Sequence, residues 1–333
     1  MQRESIVPSL VGFGMGIPFG MAFYHSNVFR PAVVTQQLQM ENWDMFRTFM
    51  SAVSVGGSCV SLLYATSNIK LISRPFHPIT TPLGGLILGS GMYLTGACPG
   101  TIWAQIGVGV TDSLIVLAGG MAGSVCYSYI AKYLPVGAPG KFVHDLLGVP
   151  FLTVALPLFG GIIVTMAAIE YFQKKNTNQQ VNWKPYVSGA IIGLLQIPAF
   201  YYMGTGLGTS SALLTIPGTF LRAVGITNPV ITKYTSFTKN YWQVGLDAGI
   251  ILGTYLYSKY YSKNQGMDMA ESKQTSNPTV KFIGGFLLAM GARLADGCTS
   301  GHGLTGVANL SVTSIVAVAG MFGSGMALGV LTK

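Results

Sequence analysis

The stretch "ADGCTSGHGLTG", residues 295–306, holds an acid, a thiol, three hydroxyls, an imidazole and four glycines, with apolar segments on both sides. A milder version, "TGACPGT", occupies residues 95–101 between two further apolar runs. Irregular, polar backbone survives at membrane depth only where protein buries it or where it lines a cavity. The two stretches therefore read as breaks inside a helical membrane protein, each leading into a short re-entrant piece.

Composition points the same way. Half of the 333 residues are hydrophobic and 9% are charged, and the mean hydropathy is +0.50. Soluble domains carry about 25% charged residues. The apolar runs are continuous rather than alternating, which argues for helices and against a β-barrel. The 44 glycines suit helices that approach closely in lipid. The net charge of +9 lies mainly in loops. No basic stripe with interleaved aromatics accompanies it, so anionic lipid rather than nucleic acid is its expected counterpart. The opening segment reads as a first span, not a signal peptide.

Nine spans of bilayer-crossing length are expected, over about 6–24, 45–66, 79–97, 111–134, 147–170, 184–203, 240–260, 280–297 and 311–331. Four shorter pieces lie between them, at roughly 28–40, 98–110, 207–221 and 298–310. The last three are rich in Gly, Ser or Thr and nearly uncharged, as re-entrant segments would be. The loops at 173–184 and 262–281 read as solvated. Basic residues divide evenly between the two faces, so the positive-inside rule does not orient the chain.

An internal repeat emerges when the sequence slides by 200 residues. Gly84 and Gly85 fall on Gly284 and Gly285, Gly91 on Gly291, and Cys98 on Cys298. Over residues 84–124 and 284–324, 12 of 41 positions are identical. The matched spans are the third and the eighth, an odd number of crossings apart, so the copies would insert in opposite senses. Inverted repeats with broken helices are a transporter architecture, with the substrate site where short helix ends meet near the midplane. The expected division is a first membrane repeat at 1–140, a connecting helix and loop at 141–180, and a second repeat at 181–333.

Of four cysteines, none forms CxxC, which removes zinc-ribbon and thioredoxin-like readings; no metal or cofactor is implied. Cys59 and Cys126 suit small buried hydrophobes. Cys98 and Cys298 occupy equivalent positions at the two breaks. Pro99, Gly100 and Thr101 follow the first; Thr299, Ser300 and Gly301 follow the second. Free backbone N–H groups at helix starts favour anions. The pair thus offers a soft sulfur beside hard anion donors, a track for a small anion with a sulfur end and an oxygen end. Close helix packing is the plainer use of such Gly/Ser/Thr clusters. Arg293 and Asp296, spaced i, i+3, would pair with each other or face the substrate. His302 is either a donor along the path or a satisfied buried imidazole. Asp247 is either a hydrogen-bonded helix contact or a pathway group. Asp112 is expected to cap the fourth span.

The chain resembles the YeeE/YedE-type sulphur-transport family, best understood through its thiosulfate transporters. The resemblance rests on "GGLILGSGMYLTGACPGT" (84–101), on "GGFLLAMGARLADGCTSGHGLTGVANLS" (284–311) and more loosely on "FYHSNVFRPAVVTQQLQMENWDMFRTFMSAV" (23–53). It implies an all-α integral membrane protein with nine spans, short re-entrant helices and an inverted repeat. It also implies transport, not catalysis, of thiosulfate or a related small inorganic sulfur anion. Pathway cysteines hand the substrate on through thiol–sulfur hydrogen bonds, and the matching positions are Cys98 and Cys298. Family transporters have a third pathway cysteine in the first half, for which Cys59 is the candidate here. A plasma or inner membrane is the expected location, with an organellar membrane as the alternative. A sulfur-carrier or rhodanese-type protein is a candidate partner. The rival reading is a membrane-embedded sulfurtransferase in which Cys298 forms a persulfide, with Asp296 and His302 as its acid and base.

Overall fold

In the computed structural model, which describes residues 6–67, 69–177, 180–265 and 277–332, the chain is all-helical. Among the described residues, β pairing is confined to two isolated antiparallel bridges, Phe76–Ala138 and Phe142–Ser311.

Helices α1 (Val7–His25), α2 (Pro31–Leu38) and α3 (Asp44–Ser67) are followed by α4 (Thr80–Thr95), α5 (Thr101–Val108) and α6 (Asp112–Ile130). Then come α7 (Val143–Leu147), α8 (Phe151–Thr177), α9 (Lys184–Leu194), α10 (Gln196–Met203), α11 (Ala212–Ala223) and α12 (Pro229–Thr235). Finally α13 (Phe237–Gln265) and α14 (Pro278–Leu294) precede a π-helix (Thr299–Gly306) and α15 (Val312–Leu331). Of the loop expected at 262–281, residues 266–276 lie outside the described residues.

Among the described residues, six stretches are long and apolar enough to cross a bilayer: Val7–His25, Asp44–Ser67, Asp112–Tyr133, Phe151–Lys175, Lys184–Met203 and Val312–Leu331. The protein is an integral membrane protein. The three remaining expected spans are helical where expected but differ in length or polarity. Helices α4 and α14 have 16 and 17 residues, so each is about 25 Å long, short of the roughly 30 Å hydrocarbon core. Both are stopped by left-handed backbone: Gly96 (φ 65°) ends α4, and Asp296 (φ 60°) follows α14. Helix α13 is long enough, but it carries Gln243, Asp247 and a tyrosine-rich second half.

At the places of the four short pieces stand α2, α5, α11 and the π-helix. The last differs from an unwound loop. The chain is extended at Cys298 (φ −106°, ψ −174°) and then winds into the wide π turn. Asp112 is the first residue of α6 rather than its cap; Thr111 holds the cap position.

Close packing fixes how the central helices run. Gly84 abuts Ala295, Gly91 abuts Leu288, and Gly284 abuts Thr95, so α4 and α14 are antiparallel. The contacts are reciprocal. A Cβ on Gly91 would lie 2.7 Å from Gly284 O, and one on Gly291 would lie 2.6 Å from Gly84 O. Larger residues at either position would force the backbones apart. Helices α1 and α13 run parallel through a similar seam, where Gly16 meets Leu246 and Gly249. Buried Lys281, near the start of α14, donates from Nζ to Thr95 O (2.9 Å). It thereby satisfies a terminal carbonyl of α4.

Candidate functional site

The cysteine segments leave opposite ends of the antiparallel α4–α14 pair, yet both turn inward. Cys98, Gly100 and Thr101 from one, and Thr299, Ser300 and Leu304 from the other, line one cavity of about 50 Å³. That volume suits a water or two. Its remaining wall is mostly apolar, with Phe23, Val28, Met45, Phe49, Ala52 and Ile192.

On the first side, Gly96 makes the left-handed turn at α4's end; a side chain there would strike Pro31. Pro99 and Gly100 form the turn before α5, which begins at Thr101. Cys98 N donates to Thr101 Oγ1 (2.7 Å), and Thr101 N donates to Cys98 Sγ (3.4 Å). Gln105 Nε2 donates to Gly96 O (3.0 Å), holding the turn against α5.

On the second side, Cys298 is 1% exposed. Ser300 Oγ lies 3.2 Å from its sulfur. Thr209 Oγ1 lies 3.9 Å from the sulfur and 3.0 Å from Ser300 Oγ. Thr299 borders the cavity, and its buried Oγ1 has no partner. It is a hydroxyl left available to whatever occupies the space.

Arg293 connects this cluster outward. It donates from Nη2 to Ser210 Oγ, and its guanidinium stacks 4.9 Å above the Tyr234 ring. Its buried Nε has no partner. It also lines a second cavity of about 250 Å³, together with Lys233, Tyr127, His77 and Asp296. Outer cavity, Arg293, Ser210 with its neighbour Thr209, Cys298, Ser300, inner cavity and Cys98 thus form one connected series.

The chain's sequence profile settles the lineage of this arrangement: the profile for sulphur transport matches residues 25–328. The chain belongs to the YeeE/YedE-type sulphur-transport family. Among members of the sulphur-transport family, it is 26% identical over 298 residues to the thiosulfate transporter TsuA of Escherichia coli K12, covering 80% of this chain and 78% of that one. It is 24% identical over 334 residues to TsuA of Spirochaeta thermophila, covering 92% and 93%. A probable transporter of Xylella fastidiosa (strain 9a5c) is 30% identical over 145 residues, covering 44% of this chain but 90% of its own length.

Several sequence expectations fall elsewhere in the structure. Arg293 and Asp296 do not pair with each other. The left-handed turn at Asp296 lies beyond the last helical residue, so the i, i+3 geometry is lost. Asp296 instead faces Arg74, 3.9 Å away. His302, wholly buried, is a satisfied imidazole. Its Nε2 donates to Ala295 O (2.9 Å) and its Nδ1 accepts from Ser314 Oγ (2.9 Å). It pins the break at 295–298 to α15. Cys59 lies on α3, about 10 Å along the axis from cavity-lining Ala52, and does not border the inner cavity. Asp247 makes no hydrogen bond from either carboxylate oxygen, so it is not a hydrogen-bonded helix contact. Thr209 and Ser210 were not singled out from sequence. Their signal was there, in the uncharged "GTGLGTSS" (204–211), which has the character of the two cysteine stretches.

Proposed function

We propose that the protein carries thiosulfate or a related small inorganic sulfur anion across the membrane along the series from Arg293 to Cys98. The observation that carries this reading is the single cavity shared by the two cysteine segments, with Ser300 linking it to the sulfur of Cys298. The names of the two TsuA relatives support thiosulfate as the substrate class.

The chemistry matches such an anion. Thiol S–H groups of Cys298 and Cys98 donate to the terminal sulfur. The hydroxyls of Ser300 and Thr299 and the Arg293 guanidinium donate to the oxygens. Charge-assisted donors of this kind replace water that the anion leaves behind. Apolar walls exclude bulk water and keep those bonds strong.

The proposal includes an inverted repeat of nine passes, with halves at 1–140 and 181–333 joined through 141–180. The reciprocal contacts of Gly91 and Gly291 support it. So does the relative of half length, which matches 44% of this chain with 90% of its own. A sulfur-carrier or rhodanese-type protein would take up the delivered sulfur. The sulfurtransferase reading finds less support, because Asp296 and His302 are engaged away from the thiol.

The test is uptake of labelled thiosulfate by cells lacking their own importer. Uptake that appears with this protein and is suppressed by excess unlabelled thiosulfate supports the reading. No uptake from protein shown to be in the membrane overturns it.

A further inference from the structure

Asp247 lies within α13 and is 1% exposed. Neither of its carboxylate oxygens has a hydrogen-bond partner, and the buried Oε1 of Gln243, one turn earlier, also lacks one. Three acceptor oxygens therefore share one helix face at i, i+4 spacing with no donor between them. The face is turned toward residues 204–211, the segment that abuts Cys298. A Cβ on Gly208 would lie 3.1 Å from Gln243 Nε2, and Thr209 touches the Cys298 sulfur.

A bare carboxylate at membrane depth is costly and needs a cation. Among the described residues, the elements packed against α13 do not supply one. Along its seam α1 presents "GFGMGIPFG", and its His25 bonds Tyr257 at the helix end. Helix α5 has no ionisable side chain. On α11, Arg222 donates to Thr235. On α12, Lys233 borders the outer cavity and Tyr234 stacks under Arg293. Cys298 is the titratable group close enough to interact with Asp247. Hard metal cations require about six oxygen ligands. Only three are free here, and the nearby Thr209 and Ser300 hydroxyls bond each other.

We propose that Asp247, assisted by Gln243, is a proton site that couples anion movement to a proton gradient. With no anion bound the carboxyl already holds one proton, taken from the side of higher concentration, and the anion settles beside Cys298 with that proton in place. The carboxyl releases that proton to the other side as the anion leaves. A dianion then crosses with one net negative charge instead of two. The coupling rests on the transport reading above; the protonated carboxyl does not.

Infrared difference spectra of the purified protein at neutral pH test the site without any substrate. The wild type should show a protonated-carboxyl band that Asp247→Asn lacks; no such band overturns the proposal. Proteoliposomes with the voltage clamped at zero test coupling. A gradient of one pH unit should drive about tenfold accumulation of labelled thiosulfate. Asp247→Asn should still exchange labelled for unlabelled thiosulfate but accumulate none. Asp247→Glu, which keeps the carboxyl, should retain accumulation and a shifted band. Accumulation driven by sodium instead, or retained in Asp247→Asn, overturns the proposal. A carboxyl band in a protein that moves no thiosulfate supports the proton site and overturns the substrate.

Discussion

The hydroxyl of Ser300 lies 3.2 Å from the sulfur of Cys298 and borders the cavity that Cys98 also lines. Two segments that leave opposite ends of a helix pair are joined by one side chain. Ser300 also meets Thr209, 3.0 Å away, so its hydroxyl is held between two partners.

Ser300→Ala removes that link while leaving both thiols. A lost hydrogen bond to a buried partner costs about 1–3 kcal/mol. Thiosulfate uptake should fall roughly 5- to 140-fold, with the loss mainly in apparent affinity. Initial rates over a concentration series, at matched membrane content, check this.

Arg293 separates charge from geometry. Its side chain is buried, bonded to Ser210 and stacked on Tyr234. Arg293→Met should abolish saturable uptake. Arg293→Lys should keep part of it with weaker affinity, because a point charge lacks the planar fork. Equal rates in the arginine and methionine forms would remove Arg293 from the path.

His302 has a structural part. His302→Ala frees Ala295 O and Ser314 Oγ in the interior. The unfolding temperature in detergent should drop, by an amount corresponding to roughly 2–4 kcal/mol for two lost bonds. Whatever uptake remains should keep the wild-type apparent affinity. A large affinity change with unaltered thermal stability would place His302 among the substrate contacts.

Gly91 and Gly291 test the paired packing. Gly91→Ala and Gly291→Ala each push a methyl group into the opposite backbone. Each should destabilise by about 1–3 kcal/mol, and by similar amounts, as seen in thermal melts. A tolerant position facing an intolerant one would contradict equivalent halves.

The helical membrane class, the two breaks and the short pieces were legible because apolar runs and glycine-rich interruptions are properties of local sequence. The places of Cys98 and Cys298, each just beyond one helix of the α4–α14 pair, were legible for the same reason. What escaped was set by tertiary contact. Asp296 looked like a helical partner of Arg293, but a single left-handed residue sends it to Arg74. His302 looked ambiguous until Ala295 O and Ser314 closed on its two nitrogens. Thr209 and Ser210 join the site from a loop about 90 residues away from Cys298 in sequence, a distance at which no local pattern reports contact.

The most direct measurement is the initial rate of labelled thiosulfate uptake into proteoliposomes holding equal amounts of wild type, Cys98→Ala and Cys298→Ala. A path lined by both thiols predicts that each variant inserts normally and loses at least about tenfold in rate, corresponding to 1.4 kcal/mol or more. Wild-type rates in both variants would contradict it.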